Sequence, residues 1–357
     1  MKVLISCDKF KGSLSAIEAC EAIAQGLPQH DCELCPIADG GEGFVDAILG
    51  STSGKKMMVQ CRDALGREVA AEYALLSDGS AVIEMSAASG LWRIQEGERD
   101  PLYSNTYGTG QLMRHAIEQG ATRLLIGIGG SATNDGGVGM AEALGITFQD
   151  AEGKPILPVP ATFQEIASIN FSGRISLPPI TVACDVTNPL LKETGATAIF
   201  GPQKGAKSED LPQLEAALAH LTTLLDCEPE FPGAGAAGGL GFGLRHFCGA
   251  ELVSGFDLVA EALHLREKVA AADLVITGEG SLDAQSLDGK GPTGIAKLAR
   301  SAGKKVIGIA GHVTEEARPL FDEVYSLSSL DLPLETLMRE AAPLLTQLVS
   351  TDLSDDW

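Results

Sequence analysis

The segment Leu274-Val275-Ile276-Thr277-Gly278-Glu279-Gly280 carries the pattern that decides the fold class, an apolar run that stops in glycines. Such a run is typical of a buried strand that enters a loop. The chain continues with a helical pattern at 295–302 and a second apolar run, Val306-Ile307-Gly308-Ile309. A strand, a helix and a strand in this order predict a βαβ unit with parallel strands.

The first residues of the chain predict a similar arrangement. Val3-Leu4-Ile5 is a short buried-strand pattern, and Ser15-x-x-Glu18 forms a capping box ahead of helically spaced apolar residues. Both chain ends therefore predict strands of one parallel sheet with helices on its faces.

The middle of the chain has a different pattern. Residues 57–85 alternate strand-like runs with turns at Leu65-Gly66 and Asp78-Gly79, which predicts antiparallel hairpins. A helix is predicted at 108–121 and strands at 124–126 and 180–183. We therefore predict an α/β protein. Residues 1–55 and 256–357 form a Rossmann-like parallel-sheet domain, and residues 56–255 form an inserted mixed α/β domain.

Composition narrows the function classes. The chain has 26 Lys and Arg against 48 Asp and Glu, a net charge of −22. This acidity argues against nucleic acid as a partner, because nucleic-acid binders present basic surfaces to phosphates. Apolar stretches too short to span a membrane, no secretory pattern and no disulfide or zinc framework among the eight cysteines predict a soluble cytoplasmic protein.

Glycine is unusually frequent, at 42 of 357 residues, where an average chain has about 7%. Glycine-rich loops expose backbone amides, which is how many proteins hold phosphates. The glycines therefore indicate loops that bind an anionic ligand.

The first candidate loop follows the first predicted strand and contains Asp8, Lys9 and Lys11. Two lysines beside an aspartate, ahead of a helix, suit an anionic substrate or a phosphoryl group. A solvated charge cluster at a turn is an equally good interpretation from residue type alone.

The second loop, Gly127-x-Gly129-x-x-Ala132, matches the dinucleotide fingerprint, and Asp150 lies about twenty residues further on. An NAD-dependent oxidoreductase of a small hydroxy acid is therefore an alternative. Against it, residues 131–137 are polar and glycine-rich where a close-packed helix should begin. Asp150 also lies in a stretch typical of a hairpin turn.

Two further glycine loops supply amides and oxygen ligands. Gly238-Gly239, in a fingerprint-like run after Pro232, favours either a nucleotide or tight helix packing. The cluster 277–283, followed by Asp288-Gly289-Lys290, offers small residues, a lysine and carboxylates suited to Mg²⁺. Neither loop forms a Walker A motif.

Other acids and cations stand alone in the sequence. Asp39, Glu42 and Asp185 lie at strand-to-turn positions, as does Asn188-Pro189, and Lys204 follows a glycine-proline pair. Each acid is a candidate general base, metal ligand or helix cap.

Taken together, these phrases resemble the type I glycerate kinase family. The matching text runs in order along almost the whole chain: 8–15, 39–43, 127–137, 185–190, 200–205, 235–239 and 276–283. One departure is Cys7, where the family often has proline before the aspartate.

The resemblance implies ATP-dependent phosphorylation of D-glycerate with Mg²⁺, in a cleft between two α/β domains. The family product is usually 2-phosphoglycerate, although many members carry a 3-kinase label, and the residues do not choose between the two hydroxyls. A catalytically silent sugar-acid binding module is a further alternative. The sequence does not predict an oligomeric state.

Roles for single residues follow as hypotheses. Asp185 orients or deprotonates the hydroxyl, with Asp8 as the alternative base. Lys9 and Lys11 hold the substrate carboxylate or the moving phosphoryl group. The remaining candidates are Asn188 and Lys204 for the substrate, Gly129, Gly130, Ser131, Gly238, Gly239, Gly278, Gly280 and Ser281 for the nucleotide, and Asp283 and Asp135 for Mg²⁺.

Overall fold

The computed structural model describes residues 1–38, 40–41, 43–283 and 291–353. The chain divides into two compact units. The first contains Met1–Asp39, Asp46–Ser53 and Gly255–Trp357, and the second contains Gly40–Val45 and Gly54–Ser254. Helices and strands are numbered below in chain order through both units.

The first unit is built on a five-stranded sheet. Its strands are β1 (Lys2–Cys7), β2 (Asp31–Leu34), β11 (Leu274–Leu282), β12 (Lys305–Val313) and β13 (Glu323–Ser326). They lie in the order β13-β12-β11-β1-β2, and every neighbouring pair is parallel. The predicted parallel sheet from both chain ends is confirmed.

All or most residues of the following helices also belong to this unit. They are α1 (Ala16–Gln25), α2 (Phe44–Ser51), α9 (Gly255–Ala262), α10 (Leu265–Ala271), α11 (Gly291–Ser301), α12 (Leu334–Arg339) and α13 (Ala341–Asp352). The predicted capping box begins α1, since the Ser15 side chain accepts from the Glu18 amide and the Glu18 side chain accepts from Ser15. Ile5, Ile276 and Ile307 are fully buried on adjacent strands, so truncating one costs about 2–5 kcal/mol.

The second unit has a six-stranded mixed sheet. Its strands are β3 (Gly54–Arg62), β4 (Glu68–Leu76), β5 (Ser80–Glu84), β6 (Arg123–Gly127), β9 (Ile180–Ala183) and β10 (Glu251–Val253). The order is β10-β9-β6-β5-β4-β3. Strands β3, β4 and β5 pair antiparallel, which confirms the predicted hairpins, and β5, β6, β9 and β10 pair parallel.

The remaining elements of this unit complete its layers. They are α3 (Ser86–Ser89), α4 (Tyr107–Glu118), α5 (Val138–Ala143), α6 (Ala196–Phe200), α7 (Leu211–Leu225), α8 (Ala236–Cys248) and a small hairpin of β7 (Thr147–Gln149) and β8 (Ser168–Asn170). No helix in the described part of the chain is long and apolar enough to cross a membrane.

Strand order decides which loops meet. Strands β1 and β11 are parallel neighbours in the first unit, and β6 and β9 are parallel neighbours in the second. The carboxyl ends of parallel neighbours share one edge of a sheet, where ligands of such sheets commonly bind. The loops after these four strands carry most of the candidate residues.

Candidate active site

Asp8 leaves β1 in a fixed orientation. Its amide donates to the Gly278 carbonyl at 2.8 Å, which extends the pairing with β11. Its Oδ1 accepts from the Lys9 amide at 2.6 Å, and the residue is 9% exposed. The carboxylate is therefore held at the edge of the first sheet.

Lys9 precedes a tight turn, and Lys11 lies within it. The amides of Ser13 and Leu14 both donate to the Phe10 carbonyl, and the Phe10 ring is buried. Lys9 is half-buried and Lys11 is exposed. The buried ring anchors the turn, and Lys11 lies on its exposed surface.

Strand β11 is longer than the sequence predicts. The pattern indicates a strand that ends at Thr277, yet the strand continues to Leu282. A Cβ at Gly278 would lie 1.8 Å from the Ile309 carbonyl oxygen of β12. Gly278 is therefore a position where two strands approach closely, and the loop proper begins later than predicted.

The end of β11 and the start of α11 bring small and oxygen-bearing residues close to the Asp8 loop. A Cβ at Gly280 would lie 3.2 Å from the Lys11 amide nitrogen, and one at Gly291 would lie 3.3 Å from Asp8 Oδ2. Ser281 Oγ donates to Asp283 Oδ2 at 3.2 Å. The candidates Asp39, Glu42, Asp288 and Lys290 lie outside the described residues.

In the second unit, the Gly129–Ser131 loop leaves β6. The Gly129 amide donates to the Gly40 carbonyl at 3.3 Å, and the Gly130 carbonyl accepts from the Leu91 amide at 2.9 Å. Gly130 has φ +72° and is exposed, a backbone conformation that L side chains rarely adopt. The loop thus presents backbone at the edge of the sheet.

Asp185 and Asn188 follow the neighbouring strand, β9. Asp185 is half-buried, and its Oδ1 accepts from Ser254 Oγ at 3.4 Å. Asn188 uses its side-chain amide locally, donating to the Thr194 carbonyl at 2.9 Å. Because β6 and β9 are parallel neighbours, Asp185 shares the sheet edge with the Gly129–Ser131 loop.

Asp135 is engaged inside the protein. It is fully buried, and its carboxylate accepts from the Thr106 amide and hydroxyl at 2.8 Å, from the Gly139 amide at 3.0 Å and from the Gly137 amide at 3.2 Å. Desolvation raises its pKa despite these donors. The prediction that Asp135 binds Mg²⁺ does not fit this geometry, because the carboxylate already anchors the start of α5.

Lys204 is also buried, with 1% exposure, and its Nζ donates to the Thr133 carbonyl at 2.7 Å. Burial lowers the pKa of this lysine to about 7, and the nearby Asp135 charge opposes that shift. The predicted substrate contact does not fit this position, because the ammonium points into the protein.

Gly238 and Gly239 are buried and left-handed, with φ +67° and +87°. A Cβ at Gly238 would lie 1.9 Å from the Thr133 carbonyl oxygen, and the Gly136 amide donates to the Gly238 carbonyl at 3.0 Å. These glycines allow the start of α8 to approach residues 133–136 closely. Of the two interpretations of the sequence, a nucleotide site or tight packing, this position favours packing.

Magnesium needs several oxygen ligands. Within the described ranges, no three His, Cys, Asp or Glu side chains come together to hold a metal. Asp283 and Ser281 together offer hard oxygen atoms at the end of β11, and this set fits Mg²⁺ that carries nucleotide oxygens and waters as its other ligands.

The chain matches known proteins over nearly its whole length. The family model described as "Glycerate kinase family" matches residues 3–353. The chain belongs to the glycerate kinase family.

Individual relatives agree. A glycerate kinase from Bacillus subtilis strain 168 is 44% identical, covering 96% of this chain and 94% of its own. A glycerate 2-kinase from Escherichia coli K12 is 45% identical, covering 88% and 86%. The crystal structure of a protein assigned as glycerate kinase 2 from Salmonella typhimurium LT2 has a TM-score of 0.88 at 44% identity, covering 98% and 96%.

Membership of the glycerate kinase family confirms the resemblance and the enzyme class, a phosphotransferase with an alcohol acceptor. The oxidoreductase alternative loses its structural basis as well. After Gly127 no helix begins until Val138, and Asp150 accepts from the Glu152 and Lys154 amides in a hairpin turn. The loop therefore lacks the strand-to-helix geometry that a dinucleotide site requires.

Sequence reasoning missed Thr106 in this kinase. Its hydroxyl donates to Asp135 and accepts from the Met140 amide at 2.9 Å, so one side chain joins the start of α4 to the start of α5. The only signal was a threonine two residues before the helix predicted at 108–121, a position that points equally well to a local capping role.

Proposed function

We propose that this protein transfers the γ-phosphoryl group of ATP to the 2-hydroxyl of D-glycerate, giving 2-phosphoglycerate and ADP. Family membership supports kinase chemistry on glycerate. The E. coli relative named glycerate 2-kinase, at 45% identity, supports the 2-position.

One observation carries the proposal at the level of residues. In each unit, a strand that is followed by a carboxylate lies beside a strand that carries glycines at or after its end. Asp8 follows β1, which pairs with β11 and its Gly280, and Asp185 follows β9, which pairs with β6, the strand that precedes Gly129. Phosphoryl transfer needs an acid to orient the hydroxyl and amides or cations to hold phosphates. Both edges present these groups together.

In the proposed reaction, Asp185 orients the 2-hydroxyl and accepts its proton. The hydroxyl oxygen forms the new bond to the γ-phosphorus, while the bond from that phosphorus to the β–γ bridging oxygen breaks and ADP leaves. Asp185 is suited to this task because it is half-buried and lies at the sheet edge that it shares with the Gly129–Ser131 loop. Asp8 is the alternative base, although the Lys9 amide already occupies its Oδ1.

Cations and amides complete the proposed site. Lys9 and Lys11, on the turn after β1, bind the substrate carboxylate or the transferred phosphoryl group. The amides of Gly129, Gly130 and Gly280, with the Ser131 and Ser281 hydroxyls, hold phosphates. Asp135, Lys204, Gly238, Gly239 and Gly278 are left out, because their polar groups or backbones are engaged in packing.

Mg²⁺ bound with the nucleotide would neutralise part of the phosphate charge during transfer. Asp283 and Ser281 are the residues that we propose to hold it, since their oxygens lie together at the end of β11. The predicted location of the active site between the two domains, and a cytoplasmic location, stay predictions.

The test is ADP formation from ATP and Mg²⁺ with D-glycerate, against L-glycerate and no acceptor. We expect ADP to form with D-glycerate at a rate at least ten times that of either control. An absorbance change with NAD and hydroxy acids, without ADP formation, would favour the oxidoreductase. Binding of D-glycerate without ADP formation would favour a silent binding module.

A further inference from the structure

Lys204 lies beneath the turn that follows the proposed phosphate loop. It ends the short 3₁₀ helix Pro202–Lys204, which comes directly after α6. Its Nζ donates a hydrogen bond at 2.7 Å to the carbonyl of Thr133, which lies 71 positions earlier in the chain. Among the buried polar residues of the described chain, it is the one lysine or arginine.

The 3₁₀ helix that carries Lys204 is itself fixed. Arg99 Nη1 donates to the Gln203 carbonyl at 3.1 Å. Gly205, with φ +97°, packs so closely that a Cβ there would lie 2.6 Å from the Arg99 carbonyl oxygen. The ammonium is therefore delivered from a rigid support, and only glycine at 205 allows this approach.

The turn above Lys204 is held from several sides. Asn134 Nδ2 donates to Thr197 Oγ1 of α6 at 3.0 Å, and Gly238 presses against Thr133. The four donors to Asp135 fix the far end of the turn. Lys204 adds a hydrogen bond to the backbone carbonyl of Thr133, two residues after Ser131.

A lysine is a costly way to satisfy one carbonyl. Burying an ammonium carries a large desolvation cost, and a serine or a water would satisfy the same oxygen more cheaply. The Lys204 nitrogen nevertheless donates to this carbonyl at 2.7 Å, and while the side chain carries its proton the hydrogen bond is charge-assisted and stronger than a neutral one. The arrangement fits a need to hold the peptide orientation of this turn tightly.

We propose that Lys204 is a positioning residue for the Gly129–Ser131 loop, and that it acts through the Thr133 carbonyl without touching substrate. The expected effect on the kinetics with ATP rests on the proposed function, because it assumes that the loop binds the phosphates of ATP. The structural consequence does not rest on it. Loss of the ammonium loosens residues 129–135 in the free protein, whatever ligand the loop binds.

The variants are Lys204→Met, which keeps the length without a donor, and Lys204→Gln, which keeps a neutral donor. Lys207→Met is the matched control, since Lys207 is an exposed lysine three residues further on. Hydrogen exchange of peptides covering 129–135 and of peptides from β1 is measured on each purified protein, followed by kinetics well below its melting temperature.

We expect Lys204→Met to speed exchange at 129–135 at least fivefold and to leave β1 unchanged. We expect kcat/KM for ATP to fall about 10- to 100-fold, as misplaced positioning groups do, while KM for D-glycerate changes less than threefold. For Lys204→Gln, the exchange rate at 129–135 and kcat/KM for ATP should lie between the values of Lys204→Met and wild type. Lys207→Met should match wild type in both.

Unchanged exchange and kinetics in folded Lys204→Met would overturn the proposal. Faster exchange spread over the whole chain, with unchanged kinetic constants per folded molecule, would also overturn it, because that is the result of a purely structural role. If Lys204→Met does not fold, the same two criteria apply to Lys204→Gln. Wild-type protein that makes no ADP from ATP and D-glycerate would refute the proposed function alone, and the exchange experiment would still decide the role of Lys204.

Discussion

The lysines near the edges of the two sheets differ in burial. In the first unit, the cations Lys9 and Lys11 lie on a surface turn whose buried anchor is Phe10. In the second unit, the cation is inside: Lys204 lies under the turn at Thr133 and is 1% exposed. The surface of this second edge is backbone, contributed by Gly129 and Gly130.

The difference separates two uses of a lysine. An exposed ammonium can bind a mobile anion and adapt to its position, which suits a substrate or a transferred group. A buried ammonium with a backbone partner fixes the position of that backbone and does not bind a ligand. We infer that the first edge supplies charge and that the second edge supplies preorganised amides.

The largest expected effect distinguishes the acids of the two edges. Asp185→Asn should lower kcat about 10³-fold, the scale of a lost general base, with KM changed by less than threefold. Asp8→Asn should lower kcat much less. The measurement is steady-state kinetics of both variants with ATP and D-glycerate.

The reverse ranking would move the base to the first edge. If Asp185→Asn kept nearly full kcat while Asp8→Asn lost three orders of magnitude, the assignment of the two acids would have to be exchanged.

Close backbone packing at both edges gives the next effect. Alanine at Gly278 would place Cβ 1.8 Å from the Ile309 oxygen, and alanine at Gly238 would place it 1.9 Å from the Thr133 oxygen. Each substitution should lower the free energy of unfolding by about 3 kcal/mol, measured by urea denaturation. Gly97→Ala is the control, since its Cβ would meet nothing within 4 Å. Wild-type stability in Gly238→Ala would contradict the packing role of that glycine.

The buried Lys204 predicts a pH dependence of stability. Its pKa is about 7 in the folded protein and 10.5 as the ordinary value, so between these values the unfolded chain binds the additional proton. Stability of the folded state therefore rises with pH through this window, and the full cost of burying the charge is present below pH 7.

From pH 6 to pH 9, wild type should gain about 2–3 kcal/mol of unfolding free energy relative to Lys204→Met. Urea denaturation of both proteins at the two pH values measures this difference. A difference that is independent of pH would show that Lys204 keeps its charge in the folded protein throughout this range, and would contradict the shifted pKa.

The smallest expected effect lies away from both edges. Ser15 and Glu18 form the capping box of α1, and Ser15→Ala should lower stability by about 1 kcal/mol. Thermal denaturation measures the loss, and kcat and KM should stay at wild-type values. A change in KM would mean that the Lys9–Lys11 turn depends on this helix start more than its own hydrogen bonds suggest.

Much of the fold follows from local patterns. The runs at Val3-Leu4-Ile5 and Leu274–Thr277 predict central strands, because a strand buried on both faces needs continuous apolar residues. Glycine turns at 66 and 79 predict the antiparallel hairpins. Strand β11 extends past Gly278 for a reason that no local pattern contains, the pairing of residues 278–282 with β12.

The candidate site was less accessible from sequence. Lys11 and Lys204 are the same residue type beside a glycine, and only tertiary packing places one on the surface and the other inside. Asp135 likewise matches a metal ligand in type, but the Thr106 amide and hydroxyl that engage it come from another segment, 29 positions earlier in the chain. Burial and long-range partners decide these roles, and neither is written in local spacing.

The central claim is phosphoryl transfer to the 2-hydroxyl of D-glycerate. Phosphorus NMR of the wild-type protein with ATP, Mg²⁺ and D-glycerate tests it most directly, because it identifies the product as well as the activity. The account predicts ADP and the signal of 2-phosphoglycerate in equal amounts. A 3-phosphoglycerate signal would contradict the assigned hydroxyl, and an unchanged ATP spectrum would contradict the proposed function itself.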